Sequence, residues 1–158
     1  MIILGIDPGP TTSGVVLFNT DTQRVEMADG ACKTEGVLEI VRIGGLHQQI
    51  ACERIEAMYA HVGKETVKTI EYVGRLQEAA YGFGTPFWAK SPQDIKKAVC
   101  GTAAAKDGAV MQALIDQIGP KGRKTDPGPT YGVSKHAWRA LAAAYAFTLT
   151  SKVDTKQP

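Results

Sequence analysis

Two short apolar segments, each ending in a carboxylate, constrain the fold of this chain more than any other feature. Ile2–Asp7 reads IILGID and runs into the turn sequence PGP, whereas Gln49–Glu53 reads QIACE. Continuous apolar runs of this length are typical of strands that are buried on both faces. We therefore expect Asp7 and Glu53 at the carboxyl ends of two interior strands, which is the edge where α/β sheets place ligands.

The spacing of the other apolar residues predicts a mixed α/β layout. After the first strand, β-branched runs and turn residues predict strands at 14–18 and 24–31, and a further strand is predicted at 86–89. Helices are predicted to begin near Thr34, Lys64, Ser91, Ala105 and Ser134, with Thr34, Ser91 and Ser134 as capping residues. Residues 119–132 contain four glycines and three prolines and are predicted to form a mobile or extended loop.

Length and composition indicate one globular domain. The 158 residues are 44% hydrophobic and 22% charged, which excludes a disordered chain and a disulfide-stapled miniprotein. We expect a single domain at 1–151 and a polar tail at 152–158. No apolar run has a membrane span's length, the N-terminus lacks a basic leader, and Cys32, Cys52 and Cys100 are too scattered for a metal motif. A cytoplasmic protein with reduced cysteines is expected.

The net charge of +2 conceals an acidic half and a basic half. Residues 1–89 carry 7 basic and 11 acidic side chains, and residues 90–158 carry 11 and 5. Such asymmetry is compatible with an unevenly charged surface, but it also suits a protein that binds cations with one half and a polyanion with the other.

The chemistry of the two strand ends indicates a metal site. If the two strands are neighbours, Asp7 and Glu53 converge, and converging carboxylates repel each other unless a cation lies between them. Oxygen ligands suit Mg²⁺ or Mn²⁺, and two such ions about 4 Å apart can activate water and stabilise the leaving oxygen of a phosphodiester. The alternative is that Asp7 only caps the PGP turn and Glu53 pairs with a cation such as Arg54.

Four segments occur in an order that resembles the RuvC family of Holliday-junction resolvases, enzymes of DNA recombination and repair. They are ILGIDPGPTTSG (3–14), ACERI (51–55), VCGTAAAKDGAV (99–110) and SKHAWRALAAAYAF (134–147). The short length and a long helix through VGRLQEAA look most like phage-encoded members. The resemblance implies a ribonuclease-H-like α/β fold: a mixed five-stranded sheet, an antiparallel meander plus parallel crossover strands, flanked by helices. It also implies a crossover junction endodeoxyribonuclease that hydrolyses branched DNA with two divalent ions, Mg²⁺ or Mn²⁺.

By this resemblance, Asp7 and Glu53 are catalytic acids that bind metal, and Lys106 is a cation near the scissile phosphate. Cutting a four-way junction symmetrically requires two active sites, so the resemblance also implies a homodimer. The long helix at 64–81, which has more apolar surface than one sheet face requires, is the candidate interface.

The last helix departs from the family pattern. Many relatives place two acids three residues apart at its start, where this chain has His136 and Arg139. His136 can serve as a third metal ligand and, as an imidazole, favours Mn²⁺ over Mg²⁺. Arg139 cannot bind a cation, so either it points toward DNA phosphate or the site has only three protein ligands. Asp126 is too distant in the motif spacing to be a substitute acid.

A second departure concerns the residues that contact DNA. Relatives often carry an aromatic residue just beyond the second acid that stacks on bases, whereas here Glu56 stands near that position and Tyr59 follows slightly later. The 119–132 loop could act as a clamp on the DNA backbone. Lys96 and Lys97 are also compatible with a solvated surface. Candidate phosphate contacts are Lys90, Lys96, Lys97, Lys106, Lys121, Arg123, Lys124, Lys135 and Arg139.

Three alternatives remain open from the sequence. A short RuvC-like family linked to ribosomal RNA processing opens with a similar strand and turn, so the substrate could be RNA. A junction-binding protein could have lost catalysis when Arg139 replaced an acid. The GIDPGPTTSG turn also resembles the phosphate loop of actin-like and sugar-kinase folds, but those enzymes need two such domains and 158 residues provide one.

Overall fold

The computed structural model of the protein describes residues 1–56 and 62–154, with side chains described to residue 151. Along the chain the strands are β1 (Ile2–Asp7), β2 (Thr12–Asn19), β3 (Arg24–Lys33), β4 (Gln49–Glu53), β5 (Phe87–Lys90), β6 (Gly122–Arg123) and β7 (Asp126–Pro127). The helices are α1 (Thr34–Ile43), α2 (Lys64–Gly82), α3 (Pro92–Cys100), α4 (Asp107–Ile118) and α5 (Ala137–Asp154).

The main sheet has five strands in the order β3-β2-β1-β4-β5. Strands β1, β2 and β3 pair antiparallel, while β4 pairs parallel with both β1 and β5. This is the mixed sheet that the sequence predicts. Strand β4, which pairs parallel on both sides, is fully buried, whereas β5 at the edge of the sheet is only partly buried. Ile6 lies opposite Cys52 in the β1–β4 register, so the residues that follow them, Asp7 and Glu53, emerge side by side.

Helices cover both faces of the sheet. On one face, Leu4, Ile6 and Ile50 pack in a cluster with residues of α1 and α2. On the other face, Ile3, Phe18 and neighbouring side chains pack against α3, α4 and α5. Because β1 alternates its side chains between these two layers, its apolar residues from Ile3 to Ile6 are buried, and the strand lies at the centre of the molecule.

Helix α5 lies directly on the backbone of β1 and β2. A methyl group added at Gly5 would overlap the carbonyl of Ala140, and one added at Gly14 would overlap the carbonyl of His136. Glycine in the strands and alanine in the helix therefore allow an approach that larger side chains would prevent. This contact fixes the start of α5, and with it His136, against the strands that lead to Asp7.

One predicted cap and two predicted helix starts differ from the structure. Thr34 is the first residue of α1 and caps nothing: Lys33 is the capping residue, and the Thr34 hydroxyl donates to the Thr11 carbonyl at 3.0 Å. Helix α5 begins at Ala137 instead of near Ser134, and α4 begins at Asp107 instead of Ala105. The prediction for α3 is confirmed, because the Ser91 side chain accepts a hydrogen bond from a backbone N–H in the first turn.

The prediction that 119–132 is a loop without regular structure is wrong. Strands β6 and β7 form a short antiparallel hairpin within it. The Val25 N–H of β3 donates to the Pro129 carbonyl at 2.8 Å, and the Thr130 hydroxyl donates to the Gly119 carbonyl at 2.9 Å. Glycine and proline are common in tight hairpins as well as in open loops, so composition alone does not distinguish them.

Cys32, Cys52 and Cys100 are free thiols, as the sequence predicts. Burial raises the pKa of the Cys52 thiol, which lies between β1 and β5 in the sheet and is fully buried. No helix within the described residues is both long enough and apolar enough to cross a lipid bilayer.

Candidate active site

Asp7 and Glu53 form the centre of the site, at adjacent carboxyl ends of β1 and β4. Both are buried, with exposed fractions of 5% and 7%. Burial raises the pKa of Asp7 above its usual range, against the effects of hydrogen bonding to His136 and of the Arg139 charge. Burial, reinforced by the neighbouring Asp7 charge, raises the pKa of Glu53 to about 7. The two acids thus lie close enough to repel and lack the water that ordinarily solvates carboxylates.

His136 lies beside Asp7, with Nδ1 2.9 Å from Asp7 Oδ2. Its backbone carbonyl accepts hydrogen bonds from the N–H groups of Arg139 and Ala140, which makes it the capping residue of α5. The side chain is 65% exposed. The proximity of His136 to Asp7 agrees with the position predicted for a third ligand, although its role as a ligand stays a prediction.

Arg139 faces the acids. Its Nη1 lies 3.9 Å from Glu53 Oε1, while Nε and Nη2 donate to Asp107 Oδ1 at 3.3 and 3.2 Å. Although burial alone lowers the pKa of Arg139, the charges of Glu53, Asp7 and Asp107 outweigh burial and raise it. The guanidinium is therefore a permanent cation within the carboxylate site.

Asp107 belongs to the site although the sequence did not predict it, and Lys96 lies next to it. Asp107 is the first residue of α4 and reaches Arg139, and the Lys96 ammonium lies 3.8 Å from the same Asp107 oxygen. The sequence is compatible with a solvated Lys96, but its side chain is only 22% exposed. The sequence signal that could have identified Asp107 is its position next to Lys106 in the 99–110 segment. Asp126, the other acid considered from the sequence, lies in the exposed hairpin.

Two adjacent pockets meet at His136 and Arg139, which line both. The first, about 350 Å³, contains Asp7 and Glu53 and is also lined by threonine side chains of β2 and α2. The second, about 680 Å³, lies between the start of α4, the start of α5 and the hairpin, and it contains Trp138 and Lys121. An extended ligand could therefore run from the hairpin to the acids.

The predicted DNA-contacting residues divide between this groove and other surfaces. Lys121 lies 5.8 Å from the centre of the Trp138 ring, and Lys135 lines the same pocket. Arg123 is in β6, Lys124 follows it, and both are exposed. Lys106 is exposed at the capping position of α4.

Two further predicted contacts lie away from the two acids, and a third is not among the described residues. Lys90 and Lys97 line a separate pocket of about 320 Å³ that does not include the acids. Tyr59 lies outside the described residues.

The donor set fits a divalent cation. Within residues 1–56 and 62–154, no three His, Cys, Asp or Glu side chains are gathered closely enough to form a complete metal site. However, two buried carboxylates and an imidazole are suitable ligands for Mn²⁺ or Mg²⁺, and the pKa of both acids is raised because burial removes the water that would stabilise their charges. A bound cation would supply the stabilisation that water does not.

Comparison with known proteins places this geometry in a family. No protein-family model matches the chain. Two curated relatives, both named crossover junction endodeoxyribonuclease RuvC, come from Prochlorococcus marinus. The relative from strain SARG is 29% identical over 130 residues, which cover 75% of this chain and 84% of the relative. The relative from strain MIT 9211 is 30% identical over 131 residues, which cover 75% and 82%.

Two solved structures share the fold. A Thermus thermophilus RuvC structure aligns with a TM-score of 0.71 and 23% identity over 98% of both chains. A T. thermophilus RuvC in complex with a Holliday junction substrate aligns with a TM-score of 0.73 and 20% identity, over 98% of this chain and 97% of that one.

The chain thus belongs to the ribonuclease-H-like fold class, with a mixed five-stranded sheet. Within that class, the chain belongs to the RuvC family of crossover junction endodeoxyribonucleases. The family resemblance carried by the four sequence segments is confirmed.

Proposed function

We propose that this chain is a divalent-metal-dependent endonuclease that cuts branched DNA at four-way junctions. The observation that carries the proposal is the pair of buried carboxylates, Asp7 and Glu53, at neighbouring strand ends beside a groove lined by basic side chains. Family membership supplies the reaction class, since the named relatives are crossover junction endodeoxyribonucleases.

Asp7, Glu53 and His136 are the residues that would hold the metal ion, and Mn²⁺ is favoured over Mg²⁺ because one ligand is an imidazole. When bound, the ion activates water and offsets the charge of the phosphate. The chain supplies the positions: β1 and β4 hold the two acids in register, and the α5 cap holds His136 beside Asp7. Burial of both acids excludes bulk water, which strengthens their attraction for a cation.

The groove next to the acids is the proposed path of the DNA strand. Lys121 and Lys135 line the pocket that meets the acids at Arg139, and Arg123 and Lys124 extend the basic surface along the hairpin. Lys106 contributes a further charge at the start of α4. These cations would bind phosphates and orient the strand without reading its sequence.

We propose in addition that the enzyme is a homodimer that associates through α2. One face of α2 packs on the sheet through residues such as Tyr72 and Leu76, while Val67 and Ile70 remain 42% and 38% exposed. Adjacent exposed apolar residues on a long helix suit association with a second copy, and a two-fold axis would place two active sites on one junction.

The test is cleavage of a labelled four-way junction, compared with a matched linear duplex, a single strand and a structured RNA. With Mn²⁺ or Mg²⁺, we expect the junction alone to be cut. Asp7→Asn and Glu53→Gln should reduce cutting by at least about 10³-fold, because each removes a carboxylate whose charge the cation requires, while junction binding persists. Glu56→Gln, at an exposed acid near Glu53, is the matched control and should cut normally.

Three outcomes would contradict the proposal. Normal cutting by either acid variant would overturn the site assignment. Preferential cutting of RNA would change the substrate. Junction binding with no metal-dependent cutting would indicate a binding protein without catalysis.

A further inference from the structure

Arg139 occupies an unusual place for a cation in a site that binds cations. Its guanidinium lies between Glu53 of β4 and Asp107 of α4, 3.9 Å from the first and hydrogen-bonded to the second. A positive group that links carboxylates from separate elements does part of what a bridging metal ion does in a two-metal site.

The guanidinium is held in this place from both ends. Arg139 is in the first turn of α5, and the start of that helix is fixed by its contact with Gly14. At the other end, Asp107 accepts hydrogen bonds from Nε and Nη2, and Lys96 lies 3.8 Å from the same Asp107 oxygen. Two donors on one carboxylate oxygen restrict the rotation of the guanidinium, so its charge stays beside Glu53.

The balance of charge limits how many metal ions the site can accept. Three carboxylates, Asp7, Glu53 and Asp107, face the two cations Arg139 and Lys96, which leaves one negative charge unbalanced. Glu65 also lines the pocket of the two acids, but its charge is balanced by Lys68, 3.3 Å away. One divalent ion converts this to a single positive charge. A second divalent ion would add two more positive charges next to a guanidinium, which buried sites of low dielectric resist strongly.

Resting on the proposed function, we propose that Arg139 takes the place of a second divalent ion beside Glu53, so that the active site binds one ion. Asp107 is the positioning residue that holds the guanidinium there. The proposed site differs from the two-ion site that the family resemblance implies. The negative charge of Glu53 is still offset in the proposed site, but part of the offsetting positive charge comes from Arg139 instead of from a second ion.

The test is the number of Mn²⁺ ions bound by the full-length protein without DNA, measured by isothermal titration and by loss of the free Mn²⁺ signal in electron paramagnetic resonance. We expect one ion per chain for the wild type and for Arg139→Lys, which keeps the cation. Arg139→Asp should bind two ions, because it replaces the cation with a ligand, and the two ions should show magnetic coupling in the resonance spectrum.

A charge swap guards against loss of folding. The double variant Asp107→Arg with Arg139→Asp restores an oppositely charged pair between α4 and α5. Because it keeps the net charge and a guanidinium in the site, it should bind one ion. Arg54→Asp makes the same change of charge at an exposed arginine that pairs with Glu56, so it should leave the count at one.

Two ions bound by the wild type, none bound by the wild type, a count of one in the folded Arg139→Asp variant, or a count of two in the folded swap variant would each overturn the inference. Failure of the proposed function is recognised separately: a chain that binds one Mn²⁺ but does not cut four-way DNA contradicts that function and leaves the ion count standing.

Discussion

Glu53 is an acid that the fold holds at a cost in stability. Its carboxylate is buried, its nearest described cation, Arg139, is 3.9 Å away, and Asp7 adds repulsion. A carboxyl group in such surroundings favours its neutral, protonated form, and its pKa is raised for that reason. Buried charges that serve a site often reduce the stability of the protein that carries them.

The first prediction concerns the metal-free protein. Burial, with repulsion from Asp7, raises the pKa of Glu53 from 4.5 to about 7, so the folded state holds more protons than the unfolded state between those values. The free energy of unfolding should therefore fall as the pH rises through this window, by about 3 kcal/mol. Glu53→Gln should remove the Glu53 part of this fall and make the protein more stable at pH 8, as measured by urea unfolding in a chelator.

Glu56→Gln is the control for that measurement, because Glu56 is exposed and its loss should leave the pH dependence unchanged. Equal slopes of unfolding free energy against pH in the wild type and Glu53→Gln would show that the pKa of Glu53 is not raised in the folded state. Divalent ions should stabilise the wild type and have little effect on Glu53→Gln.

At the scale of single elements, helix α2 has one buried face and one exposed surface. The buried face, including Tyr72, Val73 and Leu76, covers the sheet, and the Tyr72 hydroxyl donates to the Thr34 carbonyl of α1 at 3.2 Å. The exposed surface of α2 includes Val67 and Ile70, which no part of the described chain covers well. A helix that is already anchored on one side can offer the other to a second copy without losing its own fold.

The second prediction tests this exposed face. Val67→Glu with Ile70→Glu should convert the proposed dimer to single chains of 16.9 kDa, because burying two carboxylates at an interface is unfavourable. Light scattering coupled to size exclusion measures the mass. Leu46→Glu makes the same kind of change at an exposed apolar residue outside α2 and should leave the dimer intact. A wild type that elutes as a single chain, or a double variant that remains dimeric, would contradict an interface at α2.

Some secondary-structure elements are predicted well from the sequence and others are not. Strands β1 and β4 are bounded correctly because an apolar run that stops at an acid and a turn is too short for a buried helix and fits an interior strand. The hairpin at β6 and β7 is missed, because its stability comes from hydrogen bonds to β3 and to Gly119, which are distant in sequence or depend on tertiary structure.

The candidate site, too, is predictable from the sequence only in part. The motif locates Asp7, Glu53 and His136, but the pairing of Arg139 with Asp107 joins residues 32 positions apart, and only the packing of α4 on α5 brings them together.

At the scale of the whole molecule, the division of charge along the sequence becomes a division in space. The acidic half contributes β1 and β4 with their two acids, and the basic half contributes the hairpin, α4 and α5 around the adjoining groove. A substrate that carries phosphates and meets a metal ion would satisfy both halves together.

The third prediction follows from the basic groove. Changing Lys121, Arg123 and Lys124 together to glutamine should lower the slope of log affinity against log salt for a four-way junction by about 2 to 3, since each lost phosphate contact removes close to one released counterion. Fluorescence anisotropy at several salt concentrations measures the slope. Arg75→Gln, on α2 and paired with Glu35, is the control and should not alter it. An unchanged slope in the triple variant would place the DNA elsewhere.

The contact of α5 with the glycines of β1 and β2 has a consequence for how the enzyme can lose activity. Where a helix rests on a strand with no side chains between them, there is no intervening layer that could rearrange to absorb a shift. His136 and Arg139 therefore cannot drift away from the acids by small steps. Loosening of α5 would dismantle the catalytic arrangement in the same event that opens the core, so inactivation and unfolding should coincide in this protein.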